Sequence, residues 1–452
     1  MVFRKRILNI LLWSVLSAAF IGPGTITTAS RAGASFGFSL MWALLFSILA
    51  CLVLQEASAR IPLATGKNLG ETIAKRFGRR HPGGLIGLLS ATGIVLGAAA
   101  YEMGNILGAM AGLEHMVLIN PRLHVLTIGL FAALVLSIPS LRFVSRLLGL
   151  VVVCMGVAFL STAIMLRPPI NELIGGTFVP SFPADPLAGL LILGLIGTTV
   201  VPYNLFLGSG VYTPGQSLGD MRLGLGVAII LGGIISMAVL VTGTAITGAF
   251  SFEALASALS EQMGTWAMYL FFFGLFCAGF TSAITAPLAA AVTVQSIYGK
   301  PEKQPEHTRS TKRKRPLMFT LVWAGVLATG VFFGLINIRP IPAIILAQAL
   351  NGLILPMVSI FLWKITGNRL IMGDTFVNNA FINLLMGIVV GVATMIGLAN
   401  ILSAISQVSG FVLPAGPAYL ATLALLSAGV AIGVFIRNKY IEKRNIEPGA
   451  KN

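Results

Sequence analysis

The sequence predicts an all-α polytopic membrane protein of twelve spans, built as two oppositely oriented five-span repeats with spans one and six interrupted. Three observations predict it: a scarcity of charge, twelve apolar runs of bilayer length, and two Gly/Pro interruptions one repeat apart. Charged residues make up only 10% of the chain and hydrophobic residues 56%. Soluble domains carry roughly 25% charged residues. A chain of 452 residues this poor in charge needs lipid to cover its surface.

A helical span takes about 20 apolar residues. Such runs lie near 8–29, 37–59, 83–112, 123–139, 147–166, 187–212, 223–247, 264–296, 317–337, 340–363, 379–403 and 417–436. The runs at 83–112 and 264–296 exceed the bilayer and are expected to tilt or protrude. Met1–Arg6 with its apolar sequel resembles a signal peptide, but the run passes straight into Gly22-Pro23-Gly24 with no clear cleavage site. It reads as the first span. Cys51, Cys154 and Cys277 all fall inside spans and read as small packing residues.

Orientation follows from the basic residues. With the amino terminus cytoplasmic, 26 of the 30 Lys and Arg face the cytoplasm, all but Arg31, Arg122, Arg167 and Arg339. That is the positive-inside bias. It places both termini in the cytoplasm of a cell (plasma) membrane protein. The net charge of +16, and the run Lys312–Arg315 within it, suit anionic lipid headgroups. No nucleic acid is implied.

The interruptions are Gly22-Pro23-Gly24-Thr25 midway through span one and Gly197–Asn204, centred on Val201-Pro202, midway through span six. Proline removes a backbone donor and clashes with the preceding turn. Unwound backbone at membrane depth persists only where it is buried in protein or lines a cavity. Each break lies in the first helix of a five-span unit. Five is odd, so the units are inverted, and matched breaks in inverted halves point to a midplane solute site. Two unrelated proline kinks are the plainer alternative. The division expected is 1–166 for the first repeat, 167–363 for the second, and 364–452 for two peripheral spans and a tail.

Around those breaks the sequence resembles the Nramp family of divalent-metal transporters. The resemblance rests on Gly22-Pro23-Gly24, Ala59-Arg60 with Ala64–Leu69, Val200–Asn204, Ala278–Thr285 and Leu355-Pro356 in that order, and it covers roughly 8–410. It implies the LeuT-type fold, divalent-metal transport and proton coupling. It also marks departures. The family's Asp-Pro-Gly-Asn motif supplies an aspartate and an asparagine to the metal, where this chain has Gly22 and Thr25. The family's methionine and histidine of span six are here Val201 and Tyr203. Divalent ions leave water only for several oxygen, nitrogen or sulfur ligands with compensating charge. The metal ligands of this chain are therefore unknown, and weak or absent transition-metal transport is expected.

The candidate solute-binding residues are Gly22, Gly24, Thr25, Thr198, Val201, Tyr203 and Asn204 at the breaks, with Gln348 and Asn351 three apart in span ten. Helix N-termini beyond the breaks favour a carboxylate. A small organic acid or amino acid is thus the alternative solute. Acidic residues inside spans are costly, which makes them functional candidates. Glu102 in span three is the candidate proton-coupling acid; the resemblance matches it to one of two family acids three apart, the other being Asn105 here. A protonated glutamic acid bonded between helices is the plain alternative. Glu56 stands four residues before Arg60 and reads as a local ion pair. Thr281, Ser282 and Thr285 in span eight read as helix packing before ion coordination. His81, His115, His124 and His307 lie in or beside loops without partners at metal-ligand spacing. There is no Walker motif. These absences imply neither a cofactor nor an enzyme. A channel is the second functional class, but the polar residues form isolated clusters. The solute partner is a small solute or ion, and nothing in the sequence fixes an oligomeric state.

Overall fold

The structure is a computed structural model that describes residues 13–77, 84–212, 215–246, 249–299, 316–336, 340–409 and 417–446, without the side chains of residues 77, 186, 340–351, 353, 403–409, 417, 418, 420 and 438–446. His81, His307, Arg4–Arg6, Arg79, Arg80 and the run Lys312–Arg315 lie outside the described residues. Within them every element is helical, with no strand.

Span one is two helices, α1 over 13–20 and α2 over Pro23–Phe36, separated by Ile21 and Gly22. Gly22 is extended (φ −116°, ψ 176°) and Pro23 takes the first helical position of α2. Proline there lacks a donor that a helix start leaves orphaned in any case, so the sequence both ends one helix and begins the next. Span two is α3 (Met41–Thr65), closed by Gly66 in the left-handed region at φ 67°, a conformation that suits glycine. A short helix, α4 (Leu69–Phe77), follows. Its start is a reciprocal cap: the Asn68 N–H donates to Glu71 Oε2 and the Glu71 N–H to Asn68 Oδ1, both at 2.9 Å. Spans three to five are α5 (Gly84–Glu114), α6 (Pro121–Ser137) and α7 (Leu141–Met165). Ser140 accepts from the Phe143 N–H, so α7 begins six residues earlier than its apolar run.

After the short α8 (Ile170–Phe178), span six again divides, into α9 (Pro186–Thr199) and α10 (Pro202–Gly210). The second repeat continues through α11 (Leu218–Gly243), the short α12 (Phe252–Met263), α13 (Thr265–Tyr298), α14 (Leu317–Leu335) and α15 (Pro340–Thr366). The short α16 (Arg369–Phe376), α17 (Ala380–Ser409) and α18 (Pro417–Ile446) complete the chain. Among the described residues, each of the twelve apolar runs falls mainly on helix. Eight stretches among the described residues are long and apolar enough to cross a membrane by length and composition. The four short helices α4, α8, α12 and α16 have no counterpart in the apolar-run reading, because each is too short to span.

Two close crossings set the core. Helices α5 and α13 pack along each other, and Gly112 and Gly279 leave no room for a side chain against the opposing backbone of Phe276 and Ala109. Helices α2 and α11 meet at Gly33 and Gly243, where a Cβ would strike the backbone of Leu240 or Ser30. Small residues let helices approach where lipid offers no hydrophobic drive between them.

Candidate functional site

A helix that stops inside a protein leaves its last carbonyls unsatisfied. At the end of α1, side chains from three different helices meet that need. Asn204 Nδ2, on α10, donates to the Ala19 carbonyl at 2.9 Å. Thr25 Oγ1, on α2, donates to Phe20 at 3.4 Å, and Ser282 Oγ, on α13, to Ile21 at 3.3 Å. The two breaks are thereby tied together, with Asn204 making the shortest of the three bonds.

The site residues read from sequence divide into groups. Gly24, Thr25, Val201, Tyr203 and Asn204 are buried at the breaks, and Gly22 is partly buried there. Gly22 turns its open side to span eight and span three: an ideal Cβ there would lie 3.0 Å from Ser282 Oγ and 3.7 Å from Asn105 Oδ1. Thr198 is buried too, but its hydroxyl turns back along α9 to Leu195 at 3.3 Å, beside the same bond from Thr199 at 2.8 Å. The side chains of Gln348 and Asn351 lie outside the described residues.

Glu102 is fully buried on α5. Its Oε2 accepts from Asn105 Nδ2 at 3.2 Å, while Oε1 has no partner among the described residues. Gly330 on α14 makes space for it, since a Cβ there would stand 2.6 Å from Glu102 Cγ. Asn105 therefore stands between the Glu102 carboxyl and Gly22. One turn of chemistry away, Tyr101 and Tyr203 form an edge-to-face pair with centroids 5.7 Å apart.

Three contributors were under-read in the sequence. Ser282 crosses to the break, whereas Thr281 and Thr285 bond within their own helix at Cys277 and Ser282. Asn105 bridges Glu102 to the break, and its i,i+3 spacing from Glu102 is the available signal. Tyr101 pairs with Tyr203 across helices, which no local pattern reports.

Two open valences at the site are acceptors. Besides Glu102 Oε1, the buried Asn204 Oδ1 has no donor among the described residues. Leaving a buried acceptor unpaired costs about 1–3 kcal/mol. A helix N-terminus favours an anion by only ~0.3–1 kcal/mol, and here Pro23 and Pro202 each remove an amide from those N-termini. No group of three or more His, Cys, Asp or Glu able to hold a metal exists among the described residues.

At the cytoplasmic end predicted for α3, Glu56 pairs with Arg60 at 3.2 Å, as the i,i+4 spacing anticipates, and also with Arg222 of α11 at 2.8 Å. Arg60 is buried and further donates to the Phe376 carbonyl and, at 2.6 Å, to Asn378 Oδ1.

Comparison with known proteins fits this geometry. Residues 14–403 match the family model for natural resistance-associated macrophage protein-like (Nramp) sequences. The divalent metal cation transporter MntH of Verminephrobacter eiseniae is 26% identical over 81% of this chain and 83% of its own length. The same-named protein of Yersinia enterocolitica is 26% identical over 83% and 90%. Among solved structures, the Eremococcus coleocola manganese transporter superposes with a TM-score of 0.77 at 18% identity, over 97% of this chain and 94% of that one. Mhp1, a nucleobase-cation-symport-1 family transporter, superposes at 0.54 and 15% identity over 97% and 95%. These likenesses establish the LeuT-type architecture with its inverted repeat. With the family model spanning both breaks and all ten helices of that repeat, the chain belongs to the Nramp family of membrane transporters.

Proposed function

We propose that this protein is a secondary carrier of the cell membrane, with both termini cytoplasmic, that moves a small solute by alternating access at the paired breaks of α1/α2 and α9/α10. It is coupled to protons through Glu102, and it is a poor carrier of the transition metals that name its relatives. The observation that carries the reading is the donor set at the breaks. Gly22, Thr25 and Val201 stand where the family resemblance places a carboxylate, an amide and a thioether, and the Thr25 hydroxyl is turned to a backbone carbonyl. Oxygen-only, nearly uncharged surroundings do not offset the dehydration of Mn²⁺ or Fe²⁺.

Glu102 supports the coupling role by its place. It is a membrane-buried acid with one oxygen open and the other bonded to Asn105, whose Oδ1 faces Gly22 at the break. The test is uptake into proteoliposomes of purified protein. Mn²⁺ at micromolar concentration is expected to enter no faster than into protein-free liposomes, and saturable Mn²⁺ uptake would sink the reading. For coupling, solute-driven proton movement is expected in the wild type and lost in Glu102→Gln. An unchanged pH dependence in that variant removes the role.

A further inference from the structure

We infer that the ligand completing this site is a monovalent cation that donates hydrogen bonds, an organic ammonium. The inference rests on the reading that the two breaks are the solute site, and it goes further by naming the solute's chemistry.

Hydrogen bonding comes first. Five polar side chains around the breaks direct a donor at a neighbour: Asn204 Nδ2 at Ala19, Thr25 Oγ1 at Phe20, Ser282 Oγ at Ile21, Thr198 Oγ1 at Leu195, and Asn105 Nδ2 at Glu102. What remains open is Asn204 Oδ1 and Glu102 Oε1, two buried oxygens with no donor among the described residues. An amide oxygen and a carboxylate oxygen only accept. A carboxylate solute would bring further acceptors and leave both oxygens unmatched, whereas an ammonium brings the donors they lack. The start of α10 offers an anion few amides, because Pro202 has no N–H and the Asn204 N–H is bonded to Val201 at 3.1 Å.

Charge comes second. Glu102 is the one acid in this cluster, and no group of three metal-ligating residues exists among the described residues. One carboxylate balances one positive charge, whereas divalent ions draw on several charged oxygens. The third observation is aromatic. Tyr203 opens α10 beside Asn204, and Tyr101 precedes Glu102; their rings meet edge to face. Tyrosine faces attract ammonium groups within about 6 Å of the centroid, a contact with no equivalent in a carboxylate site.

The experiment uses purified full-length protein and follows its melting midpoint with methylammonium and benzylammonium chloride. Sodium chloride, magnesium chloride, manganese chloride and sodium acetate are the comparisons at equal ionic strength and pH. An ammonium salt is expected to raise the midpoint saturably above the sodium chloride baseline. Glu102→Gln, which keeps the shape of the side chain, should weaken the apparent affinity at least tenfold. Tyr203→Phe, which keeps the ring, should leave the ammonium affinity within about twofold, whereas Tyr203→Leu should weaken it several-fold when each shift is read against that variant's own ligand-free midpoint. A saturable response to acetate or Na⁺ with none to ammonium overturns the inference alone, and so does unchanged ammonium affinity in Glu102→Gln. A tight Mn²⁺ response overturns both the inference and the functional reading beneath it. No ammonium response at all overturns the inference.

Discussion

Asn204 carries two duties that the sequence merged into one. Its Nδ2 holds the Ala19 carbonyl and so fastens α10 to the end of α1, while its Oδ1 stays open. Removing the side chain leaves a buried carbonyl without its donor, which costs about 1–3 kcal/mol. Asn204→Ala should therefore lower the melting midpoint of the purified protein by several degrees and abolish transport. Asn204→Asp keeps the shape but replaces the amide donor, and should not recover the midpoint at neutral pH. Gly330 makes a second residue-scale case. Its lack of a side chain accommodates Glu102, so Gly330→Leu should cost about 1–3 kcal/mol by overpacking and displace the acid. Thermal melting checks the cost, and the pH profile of uptake checks the displacement. The identity and burial of Glu102 were legible in the sequence from its place in an apolar run. The glycine that admits it was not, because 228 residues separate the pair and no local spacing connects them.

At the scale of helices, the breaks were the most legible feature, because Pro23 and Pro202 act on their own turn. Which hydroxyl reaches which freed carbonyl was not legible. Thr25, Thr198 and Ser282 look alike as polar residues in spans, yet Thr198 folds back to Leu195 while Ser282 crosses to Ile21. That outcome depends on how closely the helices approach, and the approach is set by glycines. Gly33 of α2 and Gly243 of α11 hold backbone against backbone. Gly33→Leu or Gly243→Leu should force α2 away from α11, with a loss of stability of about 1–3 kcal/mol or more. Limited proteolysis and melting of the detergent-solubilised protein would report it; a wild-type midpoint in either variant would show that the crossing tolerates separation. The short helices were missed for the opposite reason. The cap formed by Asn68 and Glu71 is visible in the sequence, but a search for bilayer-length runs passes over a helix of nine residues.

Across the whole molecule, Arg60 joins parts that the sequence treats separately. It pairs with Glu56 in its own helix and reaches the Phe376 carbonyl and Asn378 at the junction of α16 and α17. Asn378 in turn donates to Thr366 at 3.1 Å and Asn383 at 3.2 Å, and Asn383 also accepts from Trp363 at 2.9 Å. A buried guanidinium thus ties the start of α17 to α3, beside the packing of α16 and α17 on that helix. The guanidinium is buried but its partner Glu56 is only partly so, and losing hydrogen bonds to a charged group costs about 1.5–3 kcal/mol. Arg222 remains on Glu56 in its absence, so Arg60→Gln should fall at the low end of that range and loosen α17 before the core. Hydrogen exchange confined to 369–402 would support the anchor, and uniform exchange would oppose it. The i,i+4 pair was legible; its extension to residue 378 was not.

The account stands most directly on the breaks being reached from both sides of the membrane in turn. Replace Cys51, Cys154 and Cys277 with alanine, introduce Thr25→Cys at the start of α2, and add a membrane-impermeant thiol reagent to oriented vesicles from one face at a time. A carrier that alternates access at this site predicts labelling of residue 25 from either face, with each face protected when the protein is locked open to the other. Labelling from neither face, or from one face under every condition, would contradict it.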